Sequence, residues 1–175
     1  MMSEAEFLTG RSDDLVRGVA ALRSTGPPFC LIGGLAVNHY VEPVVTLEAD
    51  VAITAADGVS EALLAAGFIV EALPHWINAI LPGSRLRIQV TVNNRYGTFS
   101  TRATEAEVFR VRLPVAALKD LVQGKLWEAT DPTRRSSMRA KDEADLFRIC
   151  ESHPQVLAQI PVGLFARLNQ LRSLV

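Results

Sequence analysis

Two adjacent glycines constrain this chain more than any other feature. Gly33-Gly34 stand between the apolar run Phe29-Cys30-Leu31-Ile32 and a segment, Leu35 to Tyr40, that reads as a short helix. Thr25-Gly26-Pro27-Pro28 bounds the apolar run on its other side, which predicts a short buried strand. A strand that passes into a helix through two glycines lets the backbone come close to a ligand. The helix N-terminus behind it presents unpaired N–H groups to an anion such as a phosphate. The same pair also suits a tight turn with no ligand.

Thirteen residues separate Gly34 from Glu48, enough for a short helix and a return to an adjacent strand. Val44 to Ile53 is rich in β-branched residues and reads as extended. Glu48 and Asp50 lie two apart within it, so a strand's period of two puts both carboxylates on one face. Ala49, Val51 and Ile53 point the other way. Two such carboxylates repel unless a cation or solvent intervenes, and together they suit a hard divalent cation. The alternative is a solvated edge pair.

The rest of the chain divides in two. Residues 1-113 read as a mixed α/β core, and residues 114-175 as a helical part packed on it as one unit. The expected helices are Ser12 to Leu22, capped by Ser12, and Ser60 to Ala66, capped by Ser60 and stopped by Gly67. Phe68 to Ala72 is an expected strand. Trp76 to Leu81 and Leu86 to Val92 form an expected hairpin around Pro82-Gly83-Ser84, and Phe109 to Leu113 is a further half-exposed strand. Beyond Pro114, Val115 to Ala129, Met138 to Cys150 and Val162 to Leu174 carry helical periodicity.

Composition narrows the function classes. Of 175 residues, 49% are hydrophobic and 21% charged, with a net charge of -1, so no global field draws the chain to DNA or an acidic membrane. Two cysteines, Cys30 and Cys150, lie in apolar settings and read as buried thiols of a cytoplasmic protein. The polar start Met1-Met2-Ser3-Glu4-Ala5-Glu6 is unlike a signal peptide, and no stretch is long enough to span a bilayer.

Leu31-Ile32-Gly33-Gly34-Leu35-Ala36-Val37, His39 and Thr46-Leu47-Glu48-Ala49-Asp50-Val51 resemble the nucleotidyltransferase superfamily. More narrowly they are similar to AbiEii-type toxins and minimal nucleotidyltransferases. Leu118 to Leu126 with Lys125, and Arg139-Ala140-Lys141-Asp142 with Asp145, extend the likeness, which runs from about Phe29 to Cys150. The resemblance implies a mixed sheet flanked by helices. It implies Mg²⁺-dependent transfer of a nucleotidyl group from a nucleoside triphosphate to a hydroxyl. Gly33 and Gly34 would meet the triphosphate, and Glu48 and Asp50 would be the catalytic metal ligands. RNA, protein or a small molecule would be the acceptor, and an antitoxin the partner if the chain is a toxin.

Three positions depart from the family pattern. Glu48 stands where Asp is usual, and Val44 where a basic residue is common. In Arg87-Ile88-Gln89-Val90-Thr91-Val92, Gln89 stands where a third carboxylate is expected. No Asp or Glu occurs between Glu71 and Glu105 to replace it. An amide carries no charge and is no base at neutral pH. The pattern therefore admits a second reading, a degenerate nucleotidyltransferase fold that binds a nucleotide or macromolecule without turnover.

Other residues have two readings each. Arg85, Arg87, Arg95 and Arg102 suit a phosphate-binding cluster or a solvated basic face, as do Arg134, Arg135, Arg139 and Lys141. Lys125 is either a triphosphate contact or an exposed lysine. His39 faces a cleft or packs locally, and Trp76 and Trp127 read as core rather than base-stacking platforms.

Overall fold

The computed structural model describes the backbone over residues 4–172 and side chains over residues 12–167. Helix α1 (Glu4–Thr25) leads into strand β1 (Phe29–Ile32), whose four residues are all buried. Helix α2 (Gly33–Tyr40) follows without a connecting loop, and β2 (Glu48–Ile53) returns antiparallel to β1. Next come α3 (Val59–Ala65), β3 (Ile69–Ala72), β4 (Trp76–Ile80) and β5 (Arg87–Thr91). A 3-10 turn and the short α4 (Phe99–Arg102) lead to β6 (Thr104–Val108) and β7 (Val111–Val115). Helices α5 (Leu118–Thr130), α6 (Ser136–Ser152) and α7 (Val162–Arg172) complete the described chain.

The strands form one mixed sheet in the order β3-β4-β5-β2-β1-β7-β6. β2 lies at its centre, antiparallel to β1 and parallel to β5. Its alternation follows the expected period: Ala49 and Val51 are buried, whereas Glu48 and Asp50 are partly open on the opposite face. Ile88 and Val90 of β5 continue the buried face. There α1 comes so close that a Cβ added at Gly18 would lie 2.0 Å from Ile88 Cδ1. A second apolar cluster forms away from this one. It draws Val37 and Val41 from the α2 region and Val122, Leu126, Leu146 and Ile149 from α5 and α6. The polar face of β2 and β5 is left between the sheet and this helical wall.

Several elements differ from those expected. The first helix extends well before Ser12, so Ser12 is no cap; its hydroxyl donates to the Phe109 carbonyl at 2.6 Å instead. Ser60 is no cap either, because Gly58, at φ 72°, precedes the first turn of α3. Regular pairing in the extended segment begins only at Glu48, not at Val44. The strand expected over Phe109 to Leu113 is Val111–Val115, since Phe109 and Arg110 turn the chain at φ 49° and 64°. That turn joins β7 to β6, a strand the pattern did not reveal. No helix among the described residues is long and apolar enough to cross a membrane.

Candidate active site

Register brings the carboxylates and the glycines together. Ile32 pairs with Asp50 across β1 and β2, so the chain reaches Gly33 beside the Asp50 side chain. Gly33 has φ 68°, and a Cβ there would lie 2.0 Å from Asp50 Oδ2. Glycine is thus required twice, for its backbone conformation and for the carboxylate's space. No side chain caps the N-terminus of α2, so its leading N–H groups are not claimed by a capping group. Gly34, Thr46, Glu48 and Asp50 line one side of a cleft of about 300 Å³, with Trp76, Asn78 and Gln89. Lys125, Glu128, Arg134, Met138, Lys141 and Asp142 form the opposite, helical side.

The two strand carboxylates are unequal. Glu48 Oε1 accepts from Arg87 at 2.6 Å, and Lys141 Nζ lies 4.0 Å from Oε2. Burial pushes the Asp50 carboxyl up to about 7; Glu128 and Glu48 add to the rise, while Lys125 and Lys141 oppose it. In parallel register Gln89 sits beside Asp50, and its amide donates to Asn78 Oδ1 at 3.0 Å. The strand position expected to hold an acid therefore holds an amide turned toward its other neighbour.

Lys125 is buried rather than exposed, which removes one of its two readings. Its ammonium lies 2.9 Å from Asp142 Oδ1 and 2.8 Å from Asp145 Oδ2. Burial alone would lower its pKa, but Asp145, Asp142 and Glu128 outweigh that and hold it above the usual lysine range. Arg134 reaches the other oxygen of Asp142 at 3.0 Å, and Arg148 the other oxygen of Asp145 at 2.9 Å. The cleft thus has a charged helical wall whose cations are already held by carboxylates.

The expected arginine clusters disperse. Arg102 makes a bidentate pair with Asp120 at 2.8 and 2.9 Å. Arg95 lies over Tyr96 and Trp127, with its carbon 5.0 and 5.5 Å from their ring centroids. Arg85 and Arg87 line a groove next to the cleft that also includes Leu47, Ile69 and Lys141. Of the second basic run, Arg134 and Lys141 reach the cleft. His39 is exposed at the edge of Tyr40 and away from the cleft. Trp127 stacks on Phe99 as a core residue, whereas Trp76 lines the cleft. Cys30 is a buried free thiol that burial and Asp120 raise to about 12.

Glu128 was missed in the sequence, although its spacing three residues after Lys125 places both on one helical face. Among the described residues, no group of three or more Asp, Glu, His or Cys could hold a metal by itself. The pair Glu48 and Asp50 nonetheless fits Mg²⁺, which commonly takes one or two carboxylates and completes its shell with phosphate oxygens and water.

This mixed sheet flanked by helices has the nucleotidyltransferase fold. The antibiotic-resistance factor ANT(2'')-Ia in complex with adenylyl-2''-tobramycin has a TM-score of 0.60 at 12% identity, over 90% of this chain and 96% of that one. Its solution structure gives 0.59 at 11%, over 94% and 96%. An antigenic nucleotidyltransferase-like protein from Paracoccidioides brasiliensis gives 0.56 at 15%, over 86% and 78%. At these identities the likeness is one of fold. No family model and no curated protein matches the chain.

Proposed function

We propose that this chain transfers a nucleotidyl group from a nucleoside triphosphate to a hydroxyl acceptor. The observation that carries the reading is the contact of Gly33 with Asp50, because it joins an uncapped helix N-terminus to a carboxylate pair in one cleft. The N–H groups behind Gly33-Gly34 would receive the triphosphate. Glu48 and Asp50 would hold Mg²⁺, which when bound neutralises phosphate charge and polarises the reacting phosphoryl group. Lys125 faces the cleft but is held by two carboxylates, so its part is to fix the helical wall rather than to grip phosphate alone. The adjoining groove, with Arg85, Leu47 and Ile69, is where an acceptor would lie.

One observation favours the second reading, a nucleotide- or macromolecule-binding module without turnover. Arg87 already occupies Glu48, and Gln89 replaces an acid beside Asp50. The test is incubation with Mg²⁺ and each α-labelled triphosphate, followed by label transfer to total RNA and protein. Transfer that disappears in Asp50→Asn supports the enzyme. Nucleotide binding without transfer supports the module, and no binding of metal or nucleotide at millimolar concentration sinks the enzyme reading. A toxin role with an antitoxin partner would show as growth arrest on expression, abolished by the same substitution.

A further inference from the structure

Attack by a hydroxyl on phosphorus needs a group that takes the hydroxyl proton. Among the described residues, four carboxylates line the cleft: Glu48, Asp50, Glu128 and Asp142. Three of them are committed. Glu48 is held by Arg87 at 2.6 Å, and Asp50 is the other half of the cation-binding pair. Asp142 is buried, with one oxygen 2.9 Å from Lys125 and the other 3.0 Å from Arg134. Both of its oxygens thus accept from cations, which leaves neither open to an acceptor hydroxyl.

Glu128 differs from these three. Its Oε1 accepts from the Tyr96 hydroxyl at 3.2 Å, and that hydroxyl itself accepts from Arg95 at 3.1 Å. The relay from Arg95 through Tyr96 fixes the direction of the carboxylate. Lys125 Nζ lies 3.9 Å from Oε2, an ion pair beyond direct hydrogen-bond reach, so Lys125 does not hydrogen-bond to this oxygen. Its side chain is mostly buried yet lines the cleft opposite Asp50 and Gln89.

We propose that Glu128 is the proton acceptor of the transfer, a role supplied from helix α5 because the strand position beside Asp50 holds Gln89. The inference rests on the nucleotidyltransferase reading above. The acceptor's O–H proton passes to Glu128 Oε2 while the oxygen's electron pair forms the new bond to the α-phosphorus. The bond from that phosphorus to the bridging oxygen breaks, and pyrophosphate leaves with the electron pair. Glu128 then releases the proton to solvent. Burial raises the Glu128 carboxyl above its ordinary range, opposed by Lys125 and Arg134 and reinforced by Asp142, which makes it a stronger proton acceptor than an ordinary carboxylate.

The test compares the full chain with Glu128→Gln, an isosteric change, in the label-transfer assay with Mg²⁺ and α-labelled triphosphates. The expected result is a fall in transfer of about 100-fold or more, with triphosphate affinity and thermal midpoint unchanged. The acidic limb of the wild-type pH–rate profile should become shallower in the variant, keeping only the ionisation of Asp50, which a merely structural residue would not cause. Glu128→Gln combined with Gln89→Glu, which returns a carboxylate to the sheet, should recover part of the lost rate. A Glu128→Gln variant that transfers within threefold of wild type overturns the proposal and leaves the enzyme reading intact. So does a loss of triphosphate affinity that accounts for the whole fall. A wild-type chain that moves no label removes the enzyme reading, and this role with it.

Discussion

Gln89 stands level with Asp50 across the parallel β2–β5 ladder and gives its amide to Asn78 at 3.0 Å. Both side chains rise on the cleft face, so a carboxylate at this position would be added directly to the Glu48–Asp50 pair. Gln89→Asp should tighten Mn²⁺ binding roughly tenfold, since ligand charge count sets the affinity of oxygen-donor sites. Calorimetric titration reads this directly. Unchanged affinity would place the residue outside the cation's reach.

The two glycines should respond differently to alanine. A methyl at Gly33 meets Asp50 Oδ2 at 2.0 Å in a backbone at φ 68°, whereas at Gly34 the nearest neighbour is Thr46 Oγ1 at 3.8 Å. Gly33→Ala should cost about 1–3 kcal/mol of stability and displace the Asp50 carboxylate, with loss of cation binding. Gly34→Ala should fold with nearly wild-type stability. Urea denaturation of the pair decides it, and equal losses would contradict the Gly33–Asp50 contact.

Lys125 neutralises two buried acids at once. Replacing it with Met keeps much of the side-chain bulk but strands Asp142 and Asp145 with only Arg134 and Arg148 as partners. Breaking a buried ion pair from one side costs about 3–5 kcal/mol, and the denaturation midpoint should fall accordingly. Lys125→Met with Asp145→Asn should recover part of the loss; no recovery would mean that the ammonium and Asp145 are not coupled.

Asp50 gives stability a pH signature. Its carboxyl is lifted from 3.8 to about 7, so between those values the native chain keeps a proton that the unfolded chain releases. The Asp50 contribution to stability is therefore full below about pH 4 and is lost as pH rises through about 7. Asp50→Asn, which cannot ionise, should be more stable than wild type at pH 8, with the gap closing below pH 4. At about 1.4 kcal/mol per pH unit, the interval from 3.8 to about 7 limits the gap to about 4 kcal/mol. Thermal melts across pH test it, and parallel curves would show that Asp50 is not desolvated. Added Mg²⁺ should stabilise wild type alone.

Features governed by local periodicity were legible before the fold was known. Phe29–Ile32 reads as a strand because it is short, apolar and bounded by turn residues, and Glu48 with Asp50 share a face because a strand repeats every two residues. The β4–β5 hairpin follows from two apolar runs around Pro82-Gly83-Ser84. β6 escaped notice because Glu105 and Glu107 face solvent at the sheet edge, leaving little apolar alternation. Its connection to β7 escaped as well, since Phe109 and Arg110 adopt left-handed backbone without the Asn or Gly that usually marks such a turn.

The helical wall of the site was not legible, and the reason is range. Lys125 has the same sequence appearance whether it projects into water or into a cleft. The outcome depends on α6 presenting Asp142 and Asp145, three residues apart, to the face of α5 that carries it. Glu128 enters the site only because α5 lies across the sheet from Asp50. By itself, the sequence determined the strand, the glycine turn and the direction of two carboxylates, all set by backbone geometry within a few residues. Tertiary structure alone decided which groups face them: Gln89 through a parallel pairing between distant strands, and Lys125, Glu128 and Asp142 through packing of α5 and α6 on α2. Such partners follow from the burial of two separate apolar clusters, which no local repeat encodes.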